Sequence, residues 1–107
     1  MYQISPLFSA LGDPTRLAVI QQLVRGPAPV SALAPEHGMA LSSFLQHLRV
    51  LEDCGWIRST KVGRVRTCQL NPAALAATSH WLAEQRATWE QRLDQLDAYL
   101  QTMEDEP

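Results

Sequence analysis

Apolar residues recur at helical spacing in several separate segments, and polar breaks mark where one predicted element ends and the next begins. A short first helix is indicated by three apolar residues: Leu7, Phe8 and Leu11. A second helix is predicted to begin at Pro14, because Asp13 is suited to cap it and proline is tolerated at the first helical position. Its core-facing residues are expected to be Leu17, Ile20, Leu23 and Val24. Gly26 is suited to close this helix.

The helix predicted over residues 40–54 has one apolar and one polar face. It follows a stiff turn, PAPV at residues 27–30, and a short helix from Ser31 to about Gly38, and Gly55 stops it after Cys54. The apolar face is expected to bury Phe44, Leu45, Leu48 and Leu51. The opposite face carries five polar side chains: Ser42, Ser43, Gln46, His47 and Arg49. We expect the apolar face to hold the helix to the domain and the polar face to remain free for a partner.

The last part of the chain predicts a hairpin and one long helix. Residues 56–70 indicate two short strands around a turn from Lys61 to Arg64, in which Gly63 supplies the unusual backbone dihedral. Residues 73–103 form a single helical pattern in which Ser79 and Arg86 interrupt an apolar stripe. Five apolar residues fall at every seventh position: Leu75, Leu82, Trp89, Leu96 and Met103. The complementary seam positions hold Leu93 and Leu100. Such a stripe is typical of a helix that packs against another helix.

This order of elements predicts a mainly α fold with a small β-hairpin, the winged helix-turn-helix arrangement, in one domain over residues 1–107. A chain of this length cannot bury both its core and the stripe of a solitary thirty-residue helix. Burial across a two-fold axis solves this problem, so we predict a homodimer formed by the C-terminal helix at about 73–103. The residues expected at the dimer interface are Leu82, Trp89, Leu93, Leu96 and Leu100.

The formal charge of −2 hides an uneven distribution along the chain. Residues 1–40 are balanced, with two cations and two acids. Residues 41–70 hold five cations against two acids, and residues 71–107 hold two cations against seven acids. This separation indicates a basic working face and an acidic part that faces away from it, although an acidic solvated tail on a neutral domain has the same composition.

Three segments in the same order resemble the ArsR/SmtB family of bacterial winged-helix repressors. The family's opening signature is matched by LFSALGDPTRLAVIQQL at residues 7–23. Its helix-turn-helix, with the His-Leu-x-x-Leu core, resembles VSALAPEHGMALSSFLQHLRVLEDCGWI at residues 30–57, and its wing is similar to GRVRTCQLNP at residues 63–72. The likeness runs from about Leu7 to Leu100, where HWLAEQRATWEQRLDQLDAYL resembles a metal-free subgroup with a tryptophan-bearing last helix. The resemblance implies a DNA-binding regulator.

Residues of the 40–54 helix and of the hairpin are the candidate DNA contacts. Ser42, Ser43, Gln46, His47 and Arg49 would lie in a major groove, where glutamine pairs with adenine and arginine with guanine. Lys61, Arg64 and Arg66 lie on or beside the hairpin tip, where long cations reach phosphates or the minor groove. The alternatives are that the polar face of the helix is only solvated and that the cations of the turn only increase solubility. Arg16 and Arg58 are ambiguous, and Arg16, one turn into its helix, is suited to an internal salt bridge as well.

No metal, cofactor or catalytic set is predicted. Thiolate sensors of the family carry a Cys-x-Cys pair on the preceding helix, which is absent from ALAPEHG at residues 32–38. His80 and Glu84 stand one turn apart and supply half of a zinc site at most. If Thr60 pairs with Val65, Cys68 lies opposite Ile57 and points into the core as a small hydrophobe. A redox or persulfide response of Cys54 or Cys68 is the minority hypothesis.

The sequence therefore predicts a homodimeric, sequence-specific transcriptional regulator, most simply a repressor at a pseudo-palindromic site on double-stranded DNA. No run of eighteen apolar residues and no leader pattern occurs, so we interpret the chain as cytoplasmic and not bound to a membrane. The alternatives are a winged-helix module that binds a protein partner without DNA, and a thiol-responsive repressor. No residues indicate an enzyme.

Overall fold

The computed structural model describes residues 2–105 and contains five α-helices and three strands within them. The helices are α1 (Ile4–Ala10), α2 (Pro14–Leu23), α3 (Val30–Leu33), α4 (Leu41–Cys54) and α5 (Pro72–Glu104). The strands are β1 (Ala28–Pro29), β2 (Ile57–Val62) and β3 (Val65–Leu70), and a 3₁₀ turn over Ala34–His37 follows α3. The predicted order of helices and hairpin is confirmed.

Local side-chain chemistry explains the helix ends. The Asp13 carboxylate accepts hydrogen bonds from the backbone N–H groups of Thr15 (2.8 Å) and Arg16 (3.1 Å), so it caps α2 as predicted. Helix α4 ends at Gly55, whose φ of 98° lies in the left-handed region that glycine adopts without strain. The ring of Tyr2 occupies the space that a side chain at position 55 would need, so any larger residue there would displace that ring.

The three strands form an antiparallel sheet in the order β1-β3-β2. Val62 pairs with Val65, so the turn shrinks to two residues and begins with Gly63 at a φ of 63°. Glycine at the first central position is what a tight type II′ hairpin requires. The predicted register is wrong by two residues, since Cys68 lies opposite Ser59 and not opposite Ile57.

The first strand is an element that the sequence analysis missed. Within the segment predicted as a stiff turn, Ala28 pairs with Cys68 and Pro29 pairs with Thr67. Proline is accepted here because β1 is an edge strand, where a missing N–H breaks no ladder on the outer side. The pairing ties the entrance of the helix-turn-helix to the hairpin.

The core lies where the first four helices meet the sheet. Its largest fully buried side chains are Leu7, Val19, Leu33, Phe44, Leu48, Leu51 and Cys68. Trp56 is also buried, and its indole N–H donates to the carbonyl oxygen of Leu7 at 2.7 Å. Leu17 and Val24, which were expected to face the core, are exposed. The buried stripe of α2 runs instead through Val19, Ile20 and Leu23, and Val24 falls just beyond the last helical residue.

Helix α5 begins inside the domain and then leaves it. Asn71 caps it, accepting from the backbone N–H of Ala73, and only Ala74 and Thr78 of the helix are buried. The molecule measures 78 × 27 × 22 Å with a radius of gyration of 20.5 Å. A compact chain of this length has a radius of gyration of about 13 Å, so most of α5 projects from the body. None of the helices within residues 2–105 combines the length and apolar character that a membrane span requires.

Candidate nucleic-acid interface

Helix α4 presents a polar face to solvent because its apolar face is fixed in the core. Phe44, Leu48 and Leu51 are completely buried. The exposed polar residues of the helix include Ser42, Ser43, Gln46 and Arg49. The division between a buried and a polar face is confirmed, except that Leu45 is only half-buried. The four polar side chains begin in the first turn, the part of a recognition helix that reaches base edges in a major groove.

His47 differs from these four residues, because it is half-buried and has partners inside the fold. Its Nδ1 lies 3.2 Å from the Arg16 guanidinium and 3.7 Å from the Asp13 carboxylate. The hydrogen bond from the Arg16 backbone N–H lowers the pKa of Asp13, nearby His47 lowers it further, and desolvation opposes both. Arg16 also donates to the carbonyl oxygen of Ala10 at 2.7 Å. This network joins the start of α2 to α4.

Arg16 therefore has an internal role, one of the alternatives that the sequence allowed, but with other partners. Instead of an ion pair with a carboxylate, the described residues give its side chain a carbonyl oxygen and an imidazole ring. Through these contacts His47 and Arg16 fix the position of α4 against the start of α2.

The wing carries cations in two different situations. Lys61 and Arg64 are exposed at the hairpin tip, and neither takes part in an ion pair within residues 2–105. Arg66 is half-buried, and its Nη2 lies 2.5 Å from Oε1 of Glu52. Long free cations at a tip can reach a phosphate backbone, whereas Arg66 is already neutralised by a carboxylate.

Glu52, Ser59 and Arg66 form a connection between α4 and the wing. The Arg66 Nε donates to the Ser59 hydroxyl at 3.1 Å, and that hydroxyl donates to Glu52. One residue comes from the last turns of α4 and one from each strand of the hairpin, so the triad sets the wing's position relative to the recognition helix. Glu52 and Ser59 were not identified from the sequence, where the only signal is that Glu52 is one of two acids in a mainly basic segment.

The exposed part of α5 holds the predicted dimer residues. Leu82, Trp89, Leu93, Leu96 and Leu100 all lie on the surface of the single chain. Trp81 is close to the body, where its ring meets Phe8 edge-to-face at 5.4 Å between centroids. An apolar stripe of this extent on a projecting helix favours association with another helix.

His80, Cys54 and Cys68 are the residues to examine for a metal site or a reactive thiol. The exposed His80 Nε2 lies 2.7 Å from Oε1 of Glu84, and no group of three or more potential metal ligands occurs among the described residues. Cys54 is half-buried, with its sulfur 3.5 Å from the carbonyl oxygen of Leu51. Cys68 is fully buried, as predicted, and burial raises the pKa of its thiol against the opposing effect of Arg66. A raised pKa disfavours the reactive thiolate.

Known proteins resemble this chain in both sequence and architecture. A helix-turn-helix domain family matches residues 11–59. The crystal structure of an ArsR family transcriptional regulator is 53% identical, with a TM-score of 0.77 over 80% of this chain and 94% of that protein. NmtR, an HTH-type transcriptional regulator of Mycobacterium tuberculosis, is 39% identical over 62 residues, which cover 58% of this chain and 52% of NmtR.

A further relative is described as a probable mercury resistance operon repressor, from Streptomyces lividans. It is 33% identical over 57 residues, which cover 53% of this chain and 46% of the relative. The chain thus spans about half the length of these two curated relatives.

Proposed function

Because this chain belongs to the ArsR family of transcriptional regulators, we propose that it is a homodimeric, sequence-specific DNA-binding protein that acts as a repressor. The observation that carries the proposal is the polar face of α4, which stays exposed while Phe44, Leu48 and Leu51 anchor the helix in the core. An anchored helix that offers serine, glutamine and arginine side chains has the chemistry to read base edges in a major groove.

The charges of the wing support the same proposal. Lys61 and Arg64 extend from the hairpin beside α4 and would contact phosphates, which supply most of the affinity of a protein for any DNA sequence. Glu52 and Ser59 would keep these cations in register with the recognition helix through Arg66. The acidic residues of α5 would face away from the duplex.

The proposed homodimer accounts for the projecting helix. Pairing of two α5 helices would cover the apolar stripe and place two recognition helices in successive major grooves, about 34 Å apart. The expected target is then a pseudo-palindromic site. Binding at a promoter would exclude the transcription machinery, consistent with the repressor name of the Streptomyces relative. Such a protein works in the cytoplasm of a bacterium, without catalysis.

Titration of a fluorescent duplex at several salt concentrations tests the proposal. A duplex taken from the region upstream of the protein's own coding sequence is compared with a scrambled duplex of the same composition. We expect the logarithm of the binding constant to fall with the logarithm of salt, by a slope of about 0.9 for each phosphate neutralised. Absence of binding to either duplex at low salt would contradict the proposal and favour a module that binds protein through α5.

A further inference from the structure

A groove separates the wing from the helix-turn-helix, and none of the proposed DNA contacts uses its apolar walls. It has a volume of about 410 Å³ and lies between the start of α4, the edge strand β1 with α3, and the hairpin tip. Leu41 and Leu45 form one wall, one turn apart on α4, and Val65 of the wing forms the other. Pockets that bind small organic molecules begin at about 300 Å³, so this groove suits a small one.

The walls of the groove are apolar and open to water. Leu41 is 57% exposed and Val65 is 54% exposed, although both line a concave surface. Pro29, Val30 and Ala34 continue the same surface on the side of the edge strand. Covering such side chains with a hydrocarbon ring or chain would remove apolar surface from water, which is the main favourable term in small-molecule binding.

The rim of the groove is cationic. Lys61, Arg64 and Arg66 line it, and none of the described residues that line it is acidic. Glu52 offsets the charge of Arg66 from outside the groove, so the free positive charge comes from Lys61 and Arg64. An occupant that matches both parts needs an apolar body and one anionic group.

We propose that this groove binds a small amphipathic organic anion, such as an aromatic or aliphatic carboxylate, and that the bound anion competes with DNA for Lys61 and Arg64. A phosphodiester backbone alone satisfies the rim but leaves Leu41 and Val65 uncovered. The competition rests on the proposed function, whereas the binding of the anion does not. Because linkage is reciprocal, an anion that uses these cations lowers the affinity for DNA and DNA lowers the affinity for the anion.

Calorimetric titration of the full chain with 1-naphthoate, without DNA, tests the binding. We expect saturable binding of one naphthoate per chain in the millimolar range or tighter. Two probes of nearly the same shape are neutral 1-naphthalenemethanol and cationic 1-naphthylmethylamine. Both are expected to bind at least about tenfold more weakly than naphthoate, because they lack the charge-assisted hydrogen bond. Equal affinity for the neutral probe, or no saturable binding of naphthoate, would overturn the proposal.

A matched pair of variants locates the site. Leu41→Asp places a carboxylate in the groove, and Ser42→Asp places the same charge in the same exposed turn outside the groove lining. Acids in the first turn of a helix are favourable, so both variants are expected to fold, which circular dichroism checks. Naphthoate affinity should fall about tenfold in Leu41→Asp and much less in Ser42→Asp. Unchanged binding in Leu41→Asp would mean that naphthoate binds elsewhere, for example along α5, and would overturn the proposal.

Competition is then measured with a fluorescent duplex of random sequence at low salt. Naphthoate is expected to weaken duplex binding in proportion to its occupancy of the groove, and 1-naphthalenemethanol is expected to have little effect. Duplex binding that is unaffected at saturating naphthoate would overturn the competition. Failure of the chain to bind any duplex would contradict the proposed function instead. The proposal that the groove binds an anion is decided by the titration without DNA.

Discussion

Replacing Trp89 by alanine is expected to weaken the proposed homodimer by about a thousandfold. Trp89 is 62% exposed in the single chain. A large aromatic side chain buries up to about 250 Å², so about 150 Å² of this one is available to a partner helix. At about 25 cal/mol per Å², complete coverage would contribute about 4 kcal/mol per chain.

We expect the partner helix to cover only part of the Trp89 side chain, because one edge of a side chain between two paired helices remains exposed to solvent. If half of the available area is covered, the loss is about 2 kcal/mol per chain and about 4 kcal/mol per two-fold dimer. Each 1.4 kcal/mol corresponds to about tenfold in the dissociation constant, which gives the thousandfold estimate. Alanine is the best helix former, so the substitution should leave α5 helical.

Sedimentation equilibrium of the full chain from nanomolar to high micromolar concentration measures the effect. Tyr99→Ala is the matched control, because Tyr99 is an aromatic residue of α5 that is 63% exposed but lies off the seven-residue stripe. We expect its dissociation constant to change by less than about tenfold. A dimer that tolerates Trp89→Ala unchanged, or that loses equal stability from both substitutions, would refute the assignment of the stripe to the interface.

Three further predictions concern DNA and metals. Gln46→Ala and Arg49→Ala should each weaken binding to the preferred duplex by about 1–3 kcal/mol. The Tm of the protein should hardly change, because both side chains are exposed. A large fall in Tm would mean that these side chains belong to the core. Lys61→Ala combined with Arg64→Ala should weaken binding to all duplexes alike and reduce the salt slope by about 2, whereas loss confined to one sequence would make the wing a base reader. Zinc is not expected to release the protein from DNA, because His80 and Glu84 supply two ligands where zinc usually needs three or four. Chelator-reversible release that disappears in His80→Ala would contradict this.

Helix periodicity and end signals carried most of the fold prediction, because they act within a few residues. Asp13 caps its own helix and Gly55 ends α4, and both effects can be read from neighbouring positions. The edge strand β1 was not predicted, because it depends on residues that are distant in the sequence. Two residues, one of them Pro29, have no alternation to detect, and their pairing with β3 is fixed by tertiary structure.

The hairpin register shows what alternation can and cannot determine. A shift by two residues leaves every side chain on the same face of the sheet, so Cys68 is buried in the predicted register and in the observed one. The turn decides between the two registers. Gly63 at a positive φ permits a two-residue turn, which moves the partner of Thr60 from Val65 to Thr67.

Side-chain partners at long sequence separation were beyond sequence reasoning. Residue type alone groups Arg66 with the wing cations and His47 with the polar helix face. In the fold Arg66 meets Glu52, fourteen positions away, and His47 meets Arg16, thirty-one positions away. These two side chains differ from the other predicted DNA contacts in being half-buried and in contacting residues of other elements.

Selection of bound duplexes from a randomised pool by the purified full chain, followed by sequencing, tests the central claim most directly. A two-fold homodimer with one recognition helix per chain predicts an inverted repeat whose half-site centres are about 10 base pairs apart. The Gln46→Ala variant, selected in parallel, should lose preference within the half-sites and keep their spacing. Enrichment of a single unrepeated site, or of no sequence at all, would contradict the account.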